Sequence, residues 1–296
     1  MRNIGVRASY IGTYSSGLNY SLNVNLPQPS LIPFTVSARP FPQFVNVTQY
    51  RSDGSAHFNG LQLETKRRAG SFMFDVNYSY QTNRNNISDL ENPYDVLSHW
   101  ANDASTEHQY VVGSVVYTLP VGRGKRFLGT ASRRTDLLVG DWQFYFISYY
   151  GSGLFFSPAF SGSGPSNTGV TGGLPDTVPN VNVVPSGGRT YQQWFNPAAF
   201  TVPQPGRFGD ALPNSLTAEP LVVQHLSVAK KVRITEKVTY TLTMAVSNLF
   251  NHPFFTAPLN NISVAGTGAF TAVVGVFNSS EKAGPRQVTF KGRFEF

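Results

Sequence analysis

The sequence contains no cysteine, few charged residues and no long apolar run. Without cysteine, the 296-residue chain can form neither a disulfide framework nor a metal site with thiolate ligands. Charged residues make up 13% of the chain, against about 25% in typical soluble domains. No apolar stretch approaches the ~18 residues that a membrane-spanning helix needs. The N-terminal stretch MRNIGVRASYIGTYS also lacks the apolar segment and cleavage site of a signal peptide.

Aromatic residues, by contrast, are abundant. They make up 14% of the chain, with 23 Phe and 14 Tyr, yet the mean hydropathy is only -0.17. Many aromatics, few charges and average hydropathy together are typical of strands that are apolar on one face and polar on the other.

Alternation of apolar and polar residues runs through most of the chain, and helical periodicity is almost absent. In KVTYTLTMAVSNLF, which begins at Lys237, the apolar residues share one parity and Thr, Ala and Ser share the other. SFMFDVNYSYQT, which begins at Ser71, repeats the pattern. The alternation predicts eight strands at 4–14, 57–67, 71–83, 108–119, 137–150, 221–231, 237–249 and 286–296.

The predicted strands have the ~9–12 residues that a tilted strand needs to cross a bilayer. Short and long connections alternate between them, and the long ones are rich in Pro, Gly, Ser and Asn. A transmembrane barrel has this arrangement, with short periplasmic turns and long extracellular loops. The sequence therefore predicts an all-β fold, an antiparallel transmembrane β-barrel portion of about eight strands. The barrel must close, because backbone polar groups cannot be left unpaired in hydrocarbon.

Five segments then carry a family resemblance. They resemble, in the same order, parts of the Oar-like TonB-dependent receptors of the outer membrane. The segments are RPFPQFVNVTQYRSDGSAHFNGLQLETKRR (39–68), YVVGSVVYTLPVGRGKRFL with the following LLVGDWQ, WFNPAAFTVPQPGRFGDA (194–211), KVTYTLTMAVSNLFNHPFF (237–255) and GPRQVTFKGRFEF (284–296).

The resemblance implies that residues 1–296 are the C-terminal part of such a barrel, located in the outer membrane, with the plug and the N-terminal domain absent from this chain. It implies transport of an unidentified extracellular solute without covalent chemistry. The implied partners are the lipid bilayer, the barrel-assembly machinery and, through the missing plug only, the TonB system. We expect no enzymatic activity, no cofactor and no metal, since the five histidines show no metal-ligand spacing.

The resemblance also assigns roles to particular aromatic residues. Phe294 and Phe296 are similar to the terminal signal that the barrel-assembly machinery recognises, although Gly292 lies one position nearer the end than in the usual pattern. Four aromatic residues of the long loops could contact a ligand, although we favour loop packing for them. These are Trp194, Phe195, Phe200 and Phe208.

Two other functions fit parts of the sequence. A self-standing eight-stranded barrel, acting as a porin or adhesin, could close with a filled interior, but it would need a signal peptide. A soluble β-protein that binds nucleic acid would account for the net charge of +7. Twelve of the 23 basic residues, however, lie in three clusters at the predicted short-turn end, and the strand faces are rich in aromatics. We therefore expect no nucleic-acid partner.

Overall fold

A single antiparallel sheet forms the body of the molecule. The computed structural model describes residues 3–88, 90–271 and 284–296. Each long strand pairs with the next long strand along the chain, so the sheet has up-and-down topology. The eight long strands are β1 (Ile4–Asn23), β2 (Thr48–Arg67), β3 (Phe72–Asn85), β5 (Gln109–Thr118), β6 (Trp142–Gly151), β13 (Leu221–Arg233), β14 (Thr239–Ser247) and β15 (Gln287–Glu295).

The long connections contain short strands and one-turn helices. The short strands are β4 (Ala101–Asn102), β7 (Phe155–Phe156), β8 (Phe160–Ser163), β9 (Thr171–Gly173), β10 (Asp176–Thr177), β11 (Phe200–Thr201) and β12 (Leu216–Thr217). β4 joins the main sheet by pairing with β3, and three small two-stranded sheets pair β10 with β11, β7 with β12, and β8 with β9. The 3-10 turns span Val36–Ala38 and Pro197–Ala199.

All eight predicted strands are present, and their order confirms the predicted topology. One boundary was wrong: the strand predicted at 137–150 begins only at Trp142. The preceding residues form α1 (Arg133–Val139), whose N-terminus is capped by Ser132, with its Oγ accepting a hydrogen bond from Thr135 N at 3.2 Å. Local capping therefore overrides the apparent alternation. No helix in the described part of the chain is long and apolar enough to span a membrane.

Strands β1 and β2 are longer than the alternation predicts, at 20 residues each. The apolar alternation of β1 stops near Tyr14, and the ladder then continues through a register shift around Gly17, whose φ is 73°. A positive φ is accessible to glycine at little cost. Past the bulge, residues 18–23 of β1 still pair with β2. This outer half of the β1–β2 hairpin therefore extends beyond the predicted membrane-spanning segment, which ends at residue 14.

The strand register puts the apolar residues on one surface. A row of directly opposed residues crosses the sheet from β3 to β15 and contains no polar member: Phe72, Tyr117, Phe144, Val228, Met244 and Phe290. Phe74, Phe146 and Leu242 lie on the same surface by the same register. A one-residue slip in any strand would have moved its side chains to the other face. The prediction that these apolar residues share one surface of the sheet is confirmed.

In the described residues, the long strands contact mainly their neighbours within the sheet. The solvent-accessible surface is 17654 Å², whereas a compact protein of 32.4 kDa exposes about 12,000 Å². Apolar residues such as Val6 and Phe290 are 78% and 68% exposed. In water, so much open apolar surface would promote aggregation; a bilayer covers it.

Candidate functional site

The polar surface of the sheet carries paired charges. In β2, Glu64 accepts a hydrogen bond from Lys66 Nζ at 2.6 Å and lies 3.2 Å from Arg7 Nε of β1. Near the other edge, Glu295 lies 3.4 Å from Arg293 Nε and 3.7 Å from Lys231 Nζ. These groups alternate with the apolar surface residues and point to the opposite side. They form the hydrophilic inner wall of the barrel portion.

The extracellular loops form a packed cap instead of separate flexible loops. Its hydrophobic core consists of Phe195, Ala199, Phe200, Ala211 and Leu216, all buried. Partly buried residues surround this core, namely Phe156, Val181, Val183 and Ile262. Two of the long loops, 152–220 and 248–271, therefore contribute to one apolar cluster. We call the folded assembly of loops 24–47, 86–108, 152–220 and 248–271 the cap.

Hydrogen bonds between loops hold the cap together. Asn102 and Asn214 exchange two of them: Asn214 Nδ2 donates to Asn102 O at 2.7 Å, and Asn102 Nδ2 donates to Asn214 O at 3.3 Å. Tyr94 Oη donates to Leu26 O at 2.6 Å. Each bond joins loops that are far apart in sequence, so the cap positions the loops relative to one another.

A buried carboxylate organises one side of the cap. Glu219 is 6% exposed, and its Oε1 accepts a hydrogen bond from Tyr191 Oη at 2.9 Å. That hydrogen bond raises the pKa of the Tyr191 hydroxyl above its ordinary value, and burial adds to the effect. The Tyr191 ring packs against Phe255 and Phe270 at centroid distances of 4.6 and 5.8 Å. Glu219 thus anchors an aromatic cluster at the base of the loops.

A cavity of 440 Å³ opens between the loops of the cap. Three carboxylates line it, those of Glu91, Asp95 and Asp210. The guanidinium of Arg207, which also lines it, forms an ion pair with Asp176. Its volume is in the range of small-molecule sites. Hydrogen-bond donors and positive charge on a solute would complement this lining.

The four loop aromatics lie in different environments. Phe195 and Phe200 are in the cap core at 2% and 6% exposure. Trp194 donates from Nε1 to Thr217 O at 2.7 Å, and the Arg189 guanidinium lies 5.2 Å from its ring centroid. Phe208 lines the cap cavity. The structure thus gives Phe195 and Phe200 the packing role favoured from the sequence, and it places Phe208 at the cavity.

The two terminal aromatics lie on the apolar surface at the turn end of the sheet. Phe294 contacts Tyr240 of β14 at a centroid distance of 4.8 Å. Phe296 is 94% exposed and stacks on Phe294 at 6.5 Å. Both side chains are therefore accessible at the free edge of β15. Their recognition by the assembly machinery remains a prediction.

The cap cavity was missed by sequence reasoning. Glu91, Asp210 and Phe208 come from two loops that are distant along the chain, and none of them belongs to a periodic segment. Of these three residues, only Phe208 is singled out by the sequence, as an aromatic loop residue that could contact a ligand. The folding of loops against each other is a tertiary feature that single-sequence patterns do not encode.

A comparison with protein families agrees with this geometry. The family model of the outer membrane beta barrel domain matches residues 1–289. Among solved structures, the outer membrane transporter YddB from Escherichia coli is similar at 8% sequence identity and a TM-score of 0.44, with 100% of this chain and 30% of that chain covered. The chain therefore spans less than a third of that transporter's length. No curated protein matches the sequence. With the family match over nearly the whole chain and a sheet that is apolar on one face and polar on the other, this chain belongs to the outer membrane beta barrel domain family and is located in the outer membrane.

Proposed function

We propose that this chain is the C-terminal barrel part of an Oar-like TonB-dependent outer-membrane transporter. The family membership and the five ordered sequence motifs support this function. The loop cap adds support, because a folded extracellular surface with a cavity suits capture of a solute. The role is non-catalytic: solute binding, followed by passage along the polar inner wall.

The unequal edge strands carry the argument for a larger barrel. The sheet ends at β1 on one side and at β15 on the other, and these two strands are not paired. β1 offers 20 residues and β15 offers only 9. If the eight strands closed on themselves, about half of the edge of β1, the half beyond the predicted membrane segment, would lack a partner. As the sheet stands, the membrane-spanning parts of β1 and β15 are also unpaired at the two edges, and unpaired backbone groups in a membrane cost several kcal/mol each. Closure by further strands therefore fits better than a self-standing eight-stranded porin or adhesin.

A transported solute would contact first the cap cavity and then the inner wall of the barrel. A solute would first meet the cap cavity, whose carboxylates would bind hydrogen-bond donors. It would then pass along the inner wall, where the ion pairs around Glu64 and Glu295 keep the surface hydrated. Energised release requires a plug that the TonB system pulls, and we assign that plug to sequence outside this chain.

The test begins with the natural coding sequence. We expect the reading frame upstream of Met1 to encode a plug and further strands, and the full-length protein to bind the periplasmic domain of TonB. Plug deletion should abolish that binding and open an ion-conducting pore in planar bilayers. If instead an in-frame stop lies just upstream and residues 1–296 alone insert as a heat-modifiable closed barrel, the self-standing alternative replaces this proposal.

A further inference from the structure

The basic clusters at the periplasmic end are not used by the proposed transport function. Residues of two of these clusters line a cavity of 750 Å³ at the rim of the sheet. The cavity lies between the β5–β6 connection, α1 and the end of β13. We call it the rim cavity. Its basic lining residues are Arg123, Lys125, Arg133, Lys230, Lys231 and Arg233, and its acidic ones are Asp136, Asp141 and Glu236.

Three of the six basic groups are already engaged. Lys125 Nζ lies 3.7 Å from Asp141 Oδ1, and Lys231 Nζ lies 3.7 Å from Glu295 Oε2. Lys230 is only 8% exposed and donates to the Gly140 carbonyl.

The three arginines are exposed and available. Arg123, Arg133 and Arg233 make no side-chain hydrogen bond or ion pair with any residue in the described ranges. Guanidinium groups bind phosphate oxygens in a planar, bidentate geometry. The rim cavity therefore offers three such groups to an anionic ligand.

The loop that presents Arg123 is held in a defined position. Arg123 N donates to Asp136 Oδ1 of α1 at 2.6 Å. Gly122, with φ of 118°, packs so closely that a Cβ there would lie 2.8 Å from the Gly140 Cα. The turn and the helix are thus fixed against each other, and the arginines project from a rigid base.

The rim cavity adjoins the lipid-facing surface. Trp142 lies on the apolar face, and its Nε1 donates to the Leu138 carbonyl at 2.8 Å. Lys230, on the same face, passes 5.7 Å from the Trp142 ring centroid to reach α1. These contacts place α1 on the membrane side of the sheet, where Leu137 and Leu138 are 41% and 74% exposed. Tryptophan and amphipathic basic residues are typical of the membrane–water interface.

We propose that the rim cavity binds the phosphodiester headgroup of an anionic phospholipid of the periplasmic leaflet. Arg123 and Arg133 contact the phosphate oxygens, and the acyl chains lie on the apolar face beside Leu138 and Trp142. A soluble anion would use only the arginines, whereas a phospholipid would also cover the exposed apolar side chains of Leu137 and Leu138. The combination of free guanidinium groups and an adjacent apolar helix favours a lipid. This inference holds for any barrel that contains the chain and does not depend on TonB.

Lipid binding can be measured on the intact protein by native mass spectrometry. The protein is delipidated in detergent and titrated with phosphatidylglycerol or phosphatidylcholine. We expect at least fivefold tighter binding of phosphatidylglycerol. The double variant Arg123→Gln/Arg133→Gln should remove most of that preference. The matched control Arg67→Gln/Arg68→Gln, which removes two charges from the β2–β3 turn, should change the affinity less than twofold. Heat-modifiable migration confirms that each variant is folded.

Three results would overturn the proposal. Equal binding of the two lipids would show that the headgroup charge is not recognised. Equal losses in the two double variants would show a general surface potential, which acts without a site. Displacement of the lipid by an equal concentration of soluble glycerol phosphate would show an anion site to which the membrane contributes nothing.

Discussion

The phenol ring of Tyr240 lies over the backbone of Gly292 on the neighbouring strand. A Cβ at Gly292 would be 2.7 Å from Tyr240 Oη and 3.2 Å from its Cε2. The residue directly opposite Gly292 is Leu242, so Tyr240 approaches diagonally. An aromatic ring that covers a strand glycine shields backbone that would otherwise be bare. This contact gives a physical reason for the glycine in the last strand.

Gly292→Ala should therefore destabilise the barrel by roughly 1–3 kcal/mol, as overpacking does. The loss of unfolding free energy caused by Gly292→Ala should be smaller when Tyr240 is also replaced by valine, because the obstructing ring is then absent. A double-mutant cycle from chemical unfolding in vesicles measures this coupling. If the two changes are simply additive, the ring and the glycine do not interact energetically.

Phe146→Arg should be far more damaging than Ile147→Arg. Phe146 lies in mid-strand on the lipid side, where an arginine costs roughly 2–4 kcal/mol. Ile147 faces the inner wall and is 47% exposed, so an arginine there is hydrated. Unfolding free energies of the two variants in bilayers provide the comparison. Similar losses would contradict the assignment of the two faces.

Deletion of Phe296 from the full-length protein should reduce assembly much more than stability. As a single side chain it contributes no more than about 1.5–3 kcal/mol even when buried, and here it is 94% exposed. A recognition defect would lower the amount of membrane-integrated, heat-modifiable protein while the surviving barrels keep their thermal stability. Phe296→Tyr, which keeps a terminal ring, is the control and should assemble normally. Normal assembly of the deletion would remove the recognition role.

Phe195→Ala should loosen the cap and leave the sheet intact. Truncating a buried phenylalanine costs roughly 3–5 kcal/mol, and the lost contacts all belong to the loop core. We expect rapid proteolysis of the loops together with unchanged heat-modifiable migration. Val184→Ala, at a loop position that is 40% exposed, should show wild-type proteolysis. Joint loss of cap and barrel would mean that the two fold as one cooperative unit.

The sheet was predictable because each strand carries its own signal. Alternation in segments such as Phe72–Val76 specifies both the element and its two faces, and the outer-membrane resemblance supplies the topology. α1 escaped detection because its seven residues depend on the Ser132 cap and on contacts with Trp142 and Lys230. The hydrophobic core around Phe195 could not be predicted from the sequence for a related reason. Its members meet only after distant loops fold together, and nothing periodic marks them.

The longest of these loops also affects the pairing of the two strands that flank it. Strands β6 and β13 are neighbours in the sheet, yet residues 152–220 lie between them. Bringing the ends of a long segment together costs entropy that rises slowly with its length. Apart from Ile262, the residues of the hydrophobic core of the cap all lie within this segment. Packing of that core shortens the free chain between β6 and β13, so a folded cap lowers the entropic cost of pairing these two strands.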